Sequence, residues 1–433
     1  MEMQYKDSRV DWIGQIPKNW NTEKFKHIFR IKKILAGKLG YDVLSVTQQG
    51  LKIKDITSNE GQVANDYSNY QLVFPGDFVM NHMDLLTGYV DVSKQEGVTS
   101  PDYRTFYAIN KNNINKQYYL YIFQFCYKTR LFYNLGHGVS NLGRWRLPAE
   151  EQKEFMLPFP PLSEQQEIAK YLDSKCGEID GLIALQEQMI AQLTDYKQSV
   201  ITEAVTKGLN SDAHLIPSGI DRIGDIPKGW TVMPLKWLLK KPLQYGANET
   251  GVLYEESLPR YVRITDILDN NLREDLQKLS LTEEQAKGYI LENNDILFAR
   301  SGGTVGKAFI FKEIYGRCAF AGYLIRAQIA STYSSEYIYY YTQSQSYDEW
   351  KKQIFIQATI QNIGADRYST LEVPVPPLDE QLAIVSYLDS ECGEIDKLIA
   401  TKRQKIETLK EYKKSVIYEA VTGKTYEISK NKI

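Results

Sequence analysis

The 433-residue sequence contains only four cysteines, Cys126, Cys176, Cys318 and Cys392, with no CxxC pair and no zinc-ligand spacing. That excludes a disulfide framework and points to a reduced, cytoplasmic setting. Its four histidines, His27, His82, His137 and His214, lie far apart, so a His-rich metal site is not expected. No run of 18 apolar residues occurs, which predicts no membrane span. The opening MEMQYKDSRVDWIG is polar and lacks the apolar core of a signal peptide.

Catalytic signatures are also missing. There is no GxSxG, no HExxH, no Gly-rich dinucleotide fingerprint and no Asn/Asp-Pro-Pro-aromatic tetrapeptide of an amino-methyltransferase. A phosphate-binding loop needs GxxxxGK[ST]; here Gly302 and Gly306 are one residue too close, and Ala308 stands where Ser or Thr is required. Asp102 after Pro101, with Glu151 and Lys153, imitates a nuclease pattern, but the gap is too long. No catalytic residue, metal or cofactor is therefore assigned to this chain. Net charge is only −2, yet it is uneven: residues 20–157 carry 17 basic and 13 acidic side chains, 160–208 carry 4 and 8, and 231–373 carry 16 and 17. A near-neutral total can hide a basic face.

What the sequence does contain is a repeat. IGQIPKNW (13–20) returns as IGDIPKGW (223–230), and PPLSEQQEIAKYLDSKCGEID (160–180) as PPLDEQLAIVSYLDSECGEID (376–396). Over 160–208 against 376–424, roughly 30 of 49 positions are identical. Each copy has the same order: a short opening motif, a variable block of about 140 residues, a Pro-Pro segment, then a long helical pattern. Near the end of the blocks, Ser140-Asn141-Leu142-Gly143 matches Gln361-Asn362-Ile363-Gly364.

After Pro160-Pro161 and Pro376-Pro377, Ser163 and Asp379 are the expected N-caps, with Glu164 and Glu380 in the first turn. Helices are predicted over about 163–175 and 379–391, stopping at Gly177 and Gly393. Longer ones follow over about 178–206 and 394–422. In these, Ile183, Ile190, Leu193 and Val200, and again Ile399, Ile406, Leu409 and Val416, keep the heptad-like spacing of a coiled-coil seam. An amphipathic helix lying on a core would show a similar stripe. Near-identical seams separated by a whole domain favour pairing of the two copies, antiparallel, with one variable block at each end.

Both blocks read as strand-rich, for example over 41–46, 74–80, 295–300 and 307–311, with helices near 116–134 and 334–353 whose aromatics belong to the core. In the second block Arg300-Ser301-Gly302-Gly303-Thr304-Val305-Gly306-Lys307 joins two strands; its glycines permit close backbone approach to a ligand. Gly76 to Asp84 holds the matching place in the first. A tight hairpin with no ligand would use the same glycines. The candidate DNA contacts are Arg300, Ser301, Thr304 and Lys307 in block two and Asn81, His82 and Arg104 in block one. Asn141, Arg144, Asn362 and Arg367 join them from the terminal loops. They are amide, hydroxyl, imidazole and cationic side chains, able to hydrogen-bond base edges or phosphates.

Two variable blocks, each closed by Asn-Leu/Ile-Gly and then (L/V)P-x-PPL-x-EQ with a long helix, resemble the specificity subunit of type I restriction–modification enzymes (HsdS), as does DILFARSGGTVGK at 295–307. The resemblance spans nearly the whole chain. It implies a mixed α/β (α+β) fold: two strand-rich target recognition domains separated by two long repeated helices packed as an antiparallel coiled coil, in a pseudo-twofold tandem repeat. The expected divisions are 1–157 (N-terminal segment and first recognition domain), 158–210 (central helical spacer), 211–374 (second recognition domain) and 375–433 (C-terminal helical spacer). It further implies a non-catalytic subunit that binds double-stranded DNA at a split, asymmetric site. Two methyltransferase (M) subunits would dock on it and, through them, restriction (R) subunits. S-adenosylmethionine, ATP and Mg would belong to those partners. Modification-only systems would use the same subunit. A coiled-coil protein-interaction scaffold without sequence-specific DNA binding is the alternative of another class, and a self-contained nuclease or methyltransferase is a third.

Overall fold

The computed structural model describes residues 4–55, 66–138, 145–268, 270–356 and 362–425. The chain forms two compact units, Met1–Gln186 with Gln404–Ile433, and Glu187–Arg403. Both follow one plan.

In the first unit, an antiparallel four-stranded sheet runs in the order Phe29–Lys32, Arg104–Ala108, Phe78–Met80, Val90–Val92. A second sheet runs Gly50–Ile53, Val43–Thr47, Gly97–Thr99, Gln71–Val73 and contains one parallel pair. The second unit repeats both. Gln244–Tyr245, Leu324–Ala327, Ile296–Ala299 and Ala308–Ile310 form one sheet. Val252–Leu253, Leu279–Ser280, Arg260–Val262 and Cys318–Phe320 form the other, again with one parallel pair. The turns before the central strands are equivalent: Gly76-Asp77 and Asn294-Asp295 place the first residue at φ of +90° and +67°, a region open to Gly and tolerated by Asn. Each following aspartate caps its own turn, Asp77 on the Phe74 N–H and Asp295 on the Glu292 N–H. Each also meets a buried cation of the same sheet: Asp77 meets Lys32, two strands away beyond Arg104–Ala108, and Asp295 meets Arg326 on the adjacent strand.

Aromatic residues fill the cores as the sequence predicts. Tyr118, Tyr119 and Phe123 on helix Lys116–Lys128 and Tyr337 and Tyr341 on helix Ser335–Tyr341 are buried.

The repeated motif is a lock between the variable block and its helix. Trp20 donates its indole N–H to Glu164 (2.6 Å), and Trp230 to Glu380 (3.0 Å). Gln165 accepts the Asn115 N–H (2.8 Å) while donating to the Pro160 carbonyl (2.9 Å); Gln381 does the same with Ser334 (2.8 Å) and Pro376 (2.8 Å). Asn115 and Ser334 in turn cap the aromatic helices. Conversion of a loop into a capped, buried junction explains why these residues recur in both copies.

Two expectations are corrected. The helices do not stop at Gly177 and Gly393: the first long helix is continuous over Leu162–Lys207 and the second over Leu378–Val421. A helical glycine costs only about 1 kcal/mol, and burial of Cys176 and Ile179, and of Cys392 and Ile395, on either side outweighs it. The helices also begin one residue before Ser163 and Asp379. The carbonyls of Pro161 and Pro377 accept the first N–H groups, from Gln165 and Gln381 (3.0 Å each). Ser163 and Asp379 therefore occupy the first turn.

Each unit contains part of both long helices, running antiparallel. In the first, Lys413 bridges Asp180, and Val416, Ile417, Ala420 and Val421 share a core with Ile168 and Leu172. In the second, Lys197 bridges Asp396, Lys402 reaches the Met189 sulfur (3.5 Å), and Val200 and Val205 share a core with Ile384 and Leu388. The two Asp–Lys bridges occupy repeat-equivalent positions. Of the expected seam, Val200, Ile399, Ile406 and Val416 are buried, while Ile183, Ile190, Leu193 and Leu409 are half-buried. Among the described residues no helix is long and apolar enough to cross a membrane.

Candidate nucleic-acid interface

In the second unit the strand Ile296–Ala299 delivers the chain to Arg300, and the loop returns at Ala308. Gly302 and Gly306 sit at φ of about +80°; a Cβ on Gly306 would collide with the Lys351 side chain. This strand-to-strand connection differs from a phosphate-binding loop, which opens a helix. Arg300 accepts the Ile363 N–H on its carbonyl (2.9 Å) and donates its own N–H to Tyr323 (3.0 Å). Ser301 and Asn362 pair as an isolated antiparallel bridge. Thus two segments sixty residues apart in sequence are brought together.

The Arg300 guanidinium lies 4.9 Å from the Tyr245 ring centre, a stacked cation–π geometry. The Tyr245 hydroxyl also accepts the Ala365 N–H (2.9 Å), fixing the start of the short helix Ala365–Ser369. Among the described residues Arg300 Nε is buried without a hydrogen-bond partner, and a terminal guanidinium nitrogen makes a long bond to the Gly322 carbonyl (3.5 Å). An oriented guanidinium with unused donors is suited to bidentate recognition of a planar acceptor pair. Asn362, Arg367 and Lys307 are exposed nearby in the fold, and Ser301 and Thr304 are half-buried. Tyr245 was not legible as a site residue in the sequence. Its signal is the following Gly246, whose Cβ would meet the Ala321 backbone at 2.3 Å.

The corresponding loop of the first unit is furnished differently. Asn81 uses its side chain on the Met83 N–H (3.2 Å) and its carbonyl on the Tyr127 hydroxyl (2.7 Å). His82 accepts the Leu147 N–H on its carbonyl (2.9 Å), the same bond that Arg300 makes with Ile363. The position equivalent to Ile363 is therefore Leu147, not Leu142, and the equivalent of Asn362 is Arg146. The alignment of Asn141 with Asn362 is corrected accordingly; sequence likeness of a tetrapeptide was outweighed by the register set by the following helices, Ala149–Glu154 and Ala365–Ser369. Asn141 and Arg144 lie outside the described residues. Arg146 is exposed and pairs with His137 across a short bridge; the Arg-Trp-Arg run at 144–146 was its signal.

Burial pushes the His82 imidazole down to about 4, helped by the Arg104 and Arg146 charges. At neutral pH it offers an uncharged ring. Arg104 is only 8 % exposed: its guanidinium donates to Gln152 (2.6 Å) and to the Leu147 carbonyl (3.1 Å). Its place is inside the fold, where it holds the loop that carries Arg146. Among the described residues no group of His, Cys, Asp or Glu side chains could hold a metal ion.

The paired loops, differently equipped on one repeated scaffold, can be set beside known proteins. The chain is 24% identical, over 95% of both sequences, to the MjaX type I restriction enzyme specificity subunit of Methanocaldococcus jannaschii. It is 25% identical to the EcoBI specificity subunit of Escherichia coli, covering 60% of this chain and 58% of that one. A solved chain from a study of complex assembly and conformational transition in a type I restriction–modification system superposes with a TM-score of 0.68 at 13% identity, over 94% of this chain and 99% of that one, and so shares its fold. The model of the type I restriction modification DNA specificity domain matches twice, over residues 17–195 and 227–411, once for each repeat, and the chain belongs to that family.

Proposed function

We propose that this chain is the DNA sequence-specificity subunit of a cytoplasmic type I restriction–modification system, non-catalytic itself, with each recognition domain reading one half of a bipartite, asymmetric site. The observation that carries the reading is the shared loop position with unlike side chains. Arg300, Ser301, Thr304, Lys307, Asn362 and Arg367, ordered around Tyr245, serve one half. Asn81, His82 and Arg146 serve the other, with Asn141 and Arg144 as further candidates and Arg104 as an internal support. Arginine pairs with guanine and asparagine with adenine through base edges, whereas phosphate contacts set position. Unlike loops on like scaffolds read unlike half-sites.

The repeated helices would set the gap and dock two methyltransferase subunits, which in turn bring restriction subunits. Repeat symmetry supports this, because two copies of one partner need two equivalent surfaces. Exposed Leu182 and Leu398, and exposed Tyr196 and Tyr412, are such equivalents. S-adenosylmethionine, ATP and Mg would enter with the partners. In functional terms the divisions remain 1–157 and 211–374 for reading, and 158–210 and 375–433 for spacing and docking.

The test is methylome sequencing of the host with and without this gene, followed by exchange of residues 231–373 for the block of another family member. One methylated motif should vanish with the gene, and the exchange should alter one half of it. A methylome indifferent to the gene, with partner assembly intact, would favour the coiled-coil scaffold instead.

A further inference from the structure

The segment after Trp230 carries a row of cations that neither the reading loops nor the helices use. Lys236, Lys240 and Lys241 are exposed, and together with Ser369 they line a cavity of about 240 Å³. Lys236 lies over the ring of the exposed Trp237, 5.2 Å from its centre, which orients it. The chain runs from this groove through Pro242 straight into Gln244–Tyr245, the strand that supports Arg300. The short helix Ala365–Ser369 spans the same interval: Ala365 is bonded to Tyr245, and Ser369 borders the groove. Its five residues cover about 7 Å at 1.5 Å each, which is about two base-pair steps of a duplex.

The first unit keeps only part of this row: Ile31 stands where the second unit has Lys241, and Lys26, the counterpart of Lys236, is paired with an acid. Phe25 and Leu235 make the same bond, to the Phe155 and Leu371 carbonyls, so Lys26 corresponds to Lys236, Arg30 to Lys240 and Glu154 to Thr370. Strand pairing matches Glu23 with Met233. Lys24 and Lys26 both bridge Glu154, at 2.6 and 2.5 Å, and Glu23 holds His27. In the second unit both carboxylates are gone. The one acidic group described against the patch is Glu292, 3.6 Å from Lys240. We propose that Lys236, Lys240 and Lys241 form an anchor for the phosphate backbone of duplex DNA in the second unit, and that the first unit, with Ile31 in place of Lys241 and Lys26 held by Glu154, has a weaker one, so that the two half-sites are gripped unequally.

This inference rests on the DNA-reading function and deepens it; the choice of DNA follows from charge and from continuity with the Arg300 loop. The experiment uses the full-length chain in its assembled complex. It measures binding to two synthetic duplexes across a salt series, one with the methylated site and one with that site scrambled. Each phosphate contact contributes about 0.9 to the log–log salt slope, so Lys236→Gln with Lys240→Gln and Lys241→Gln should reduce the slope by about 2 to 3. Affinity for both duplexes should fall by one common factor, on the order of ten- to a hundredfold at low salt. Lys→Arg at the three positions should retain the slope. Glu292→Gln, which keeps every cation, should tighten binding to both duplexes alike. An unchanged slope in the Gln triple variant overturns the anchor, as does a loss confined to the methylated site. An unchanged slope with weakened subunit assembly overturns it in favour of a protein-docking patch. A wild-type complex that binds both duplexes equally would instead refute sequence reading, whatever the slope does.

Discussion

Gln165→Ala tests how the Pro-Pro-Leu-x-Glu-Gln motif joins a recognition block to its helix. The Gln165 side chain is fully buried and makes three strong bonds: it accepts the Asn115 N–H (2.8 Å) and donates to the carbonyls of Asn113 (3.1 Å) and Pro160 (2.9 Å). Truncation strands one N–H and two carbonyls, each costing about 1–3 kcal/mol when left without a partner. Some backbone relaxation and entry of water into a polar cavity offset part of this, so a total of about 3–5 kcal/mol is expected. For a unit of this size each kcal/mol lowers the midpoint by about 2–4 °C, giving a fall of about 6–20 °C. The assay is differential scanning calorimetry of the full chain, where two units need not unfold as one transition. Gln165→Ala should lower the transition of the first unit and Gln381→Ala that of the second. Ser163→Ala, an exposed position in the same turn, should stay within about 0.5 kcal/mol. A Gln165→Ala melt that overlays Ser163→Ala would refute the lock.

Three further outcomes are expected. The depressed His82 pKa means that the unfolded chain binds a proton first: this contribution to stability is complete above pH 6.5, is lost as the pH falls below it, and changes no further below about pH 4. The slope should approach about 1.4 kcal/mol per pH unit, and urea titrations of His82→Gln should lack this component. Arg300→Ala should relax discrimination at one base of one half-site by about 1–3 kcal/mol, or roughly five- to 150-fold. Methylation assays on single-base variants read this directly, and an unchanged profile removes that loop from the reading surface. Inserting one heptad into each long helix should lengthen the spacer by about 10 Å, or about three base pairs. Methylation confined to the original gap by a protein that still assembles would show that the helices do not set it.

The repeat, the strand-rich blocks and the paired helices were legible because each is a periodic or self-similar signal. The helix seam is a heptad pattern, and the aromatic helices carry runs such as YYLYIF that only a core can absorb. Other features depend on long-range partners. Gly177 reads as a stop until Cys176 and Ile179 are known to be buried beside it. Arg104 reads as a surface cation until Gln152 and the Leu147 carbonyl are brought to it. The equivalence of Leu147 with Ile363 is a matter of hydrogen-bond register, which a gapped comparison of two diverged blocks does not contain. Tyr245 gains its importance only from the guanidinium above it.

The way each unit is closed bears on how such a chain arises. The Tyr118 hydroxyl, in the first repeat, bonds the carbonyl of Val421, in the second (2.9 Å). Tyr337, in the second repeat, bonds Val205, in the first (3.0 Å). A single repeat therefore lacks the helix end that completes its own core, while two identical repeats on separate chains would complete each other. A half-length chain built on one repeat would have to take that helix end from a second copy. Within one chain the two halves complete each other without having to be identical: one loop carries Arg300 with Ser301 and its counterpart Asn81 with His82, on a frame common to both.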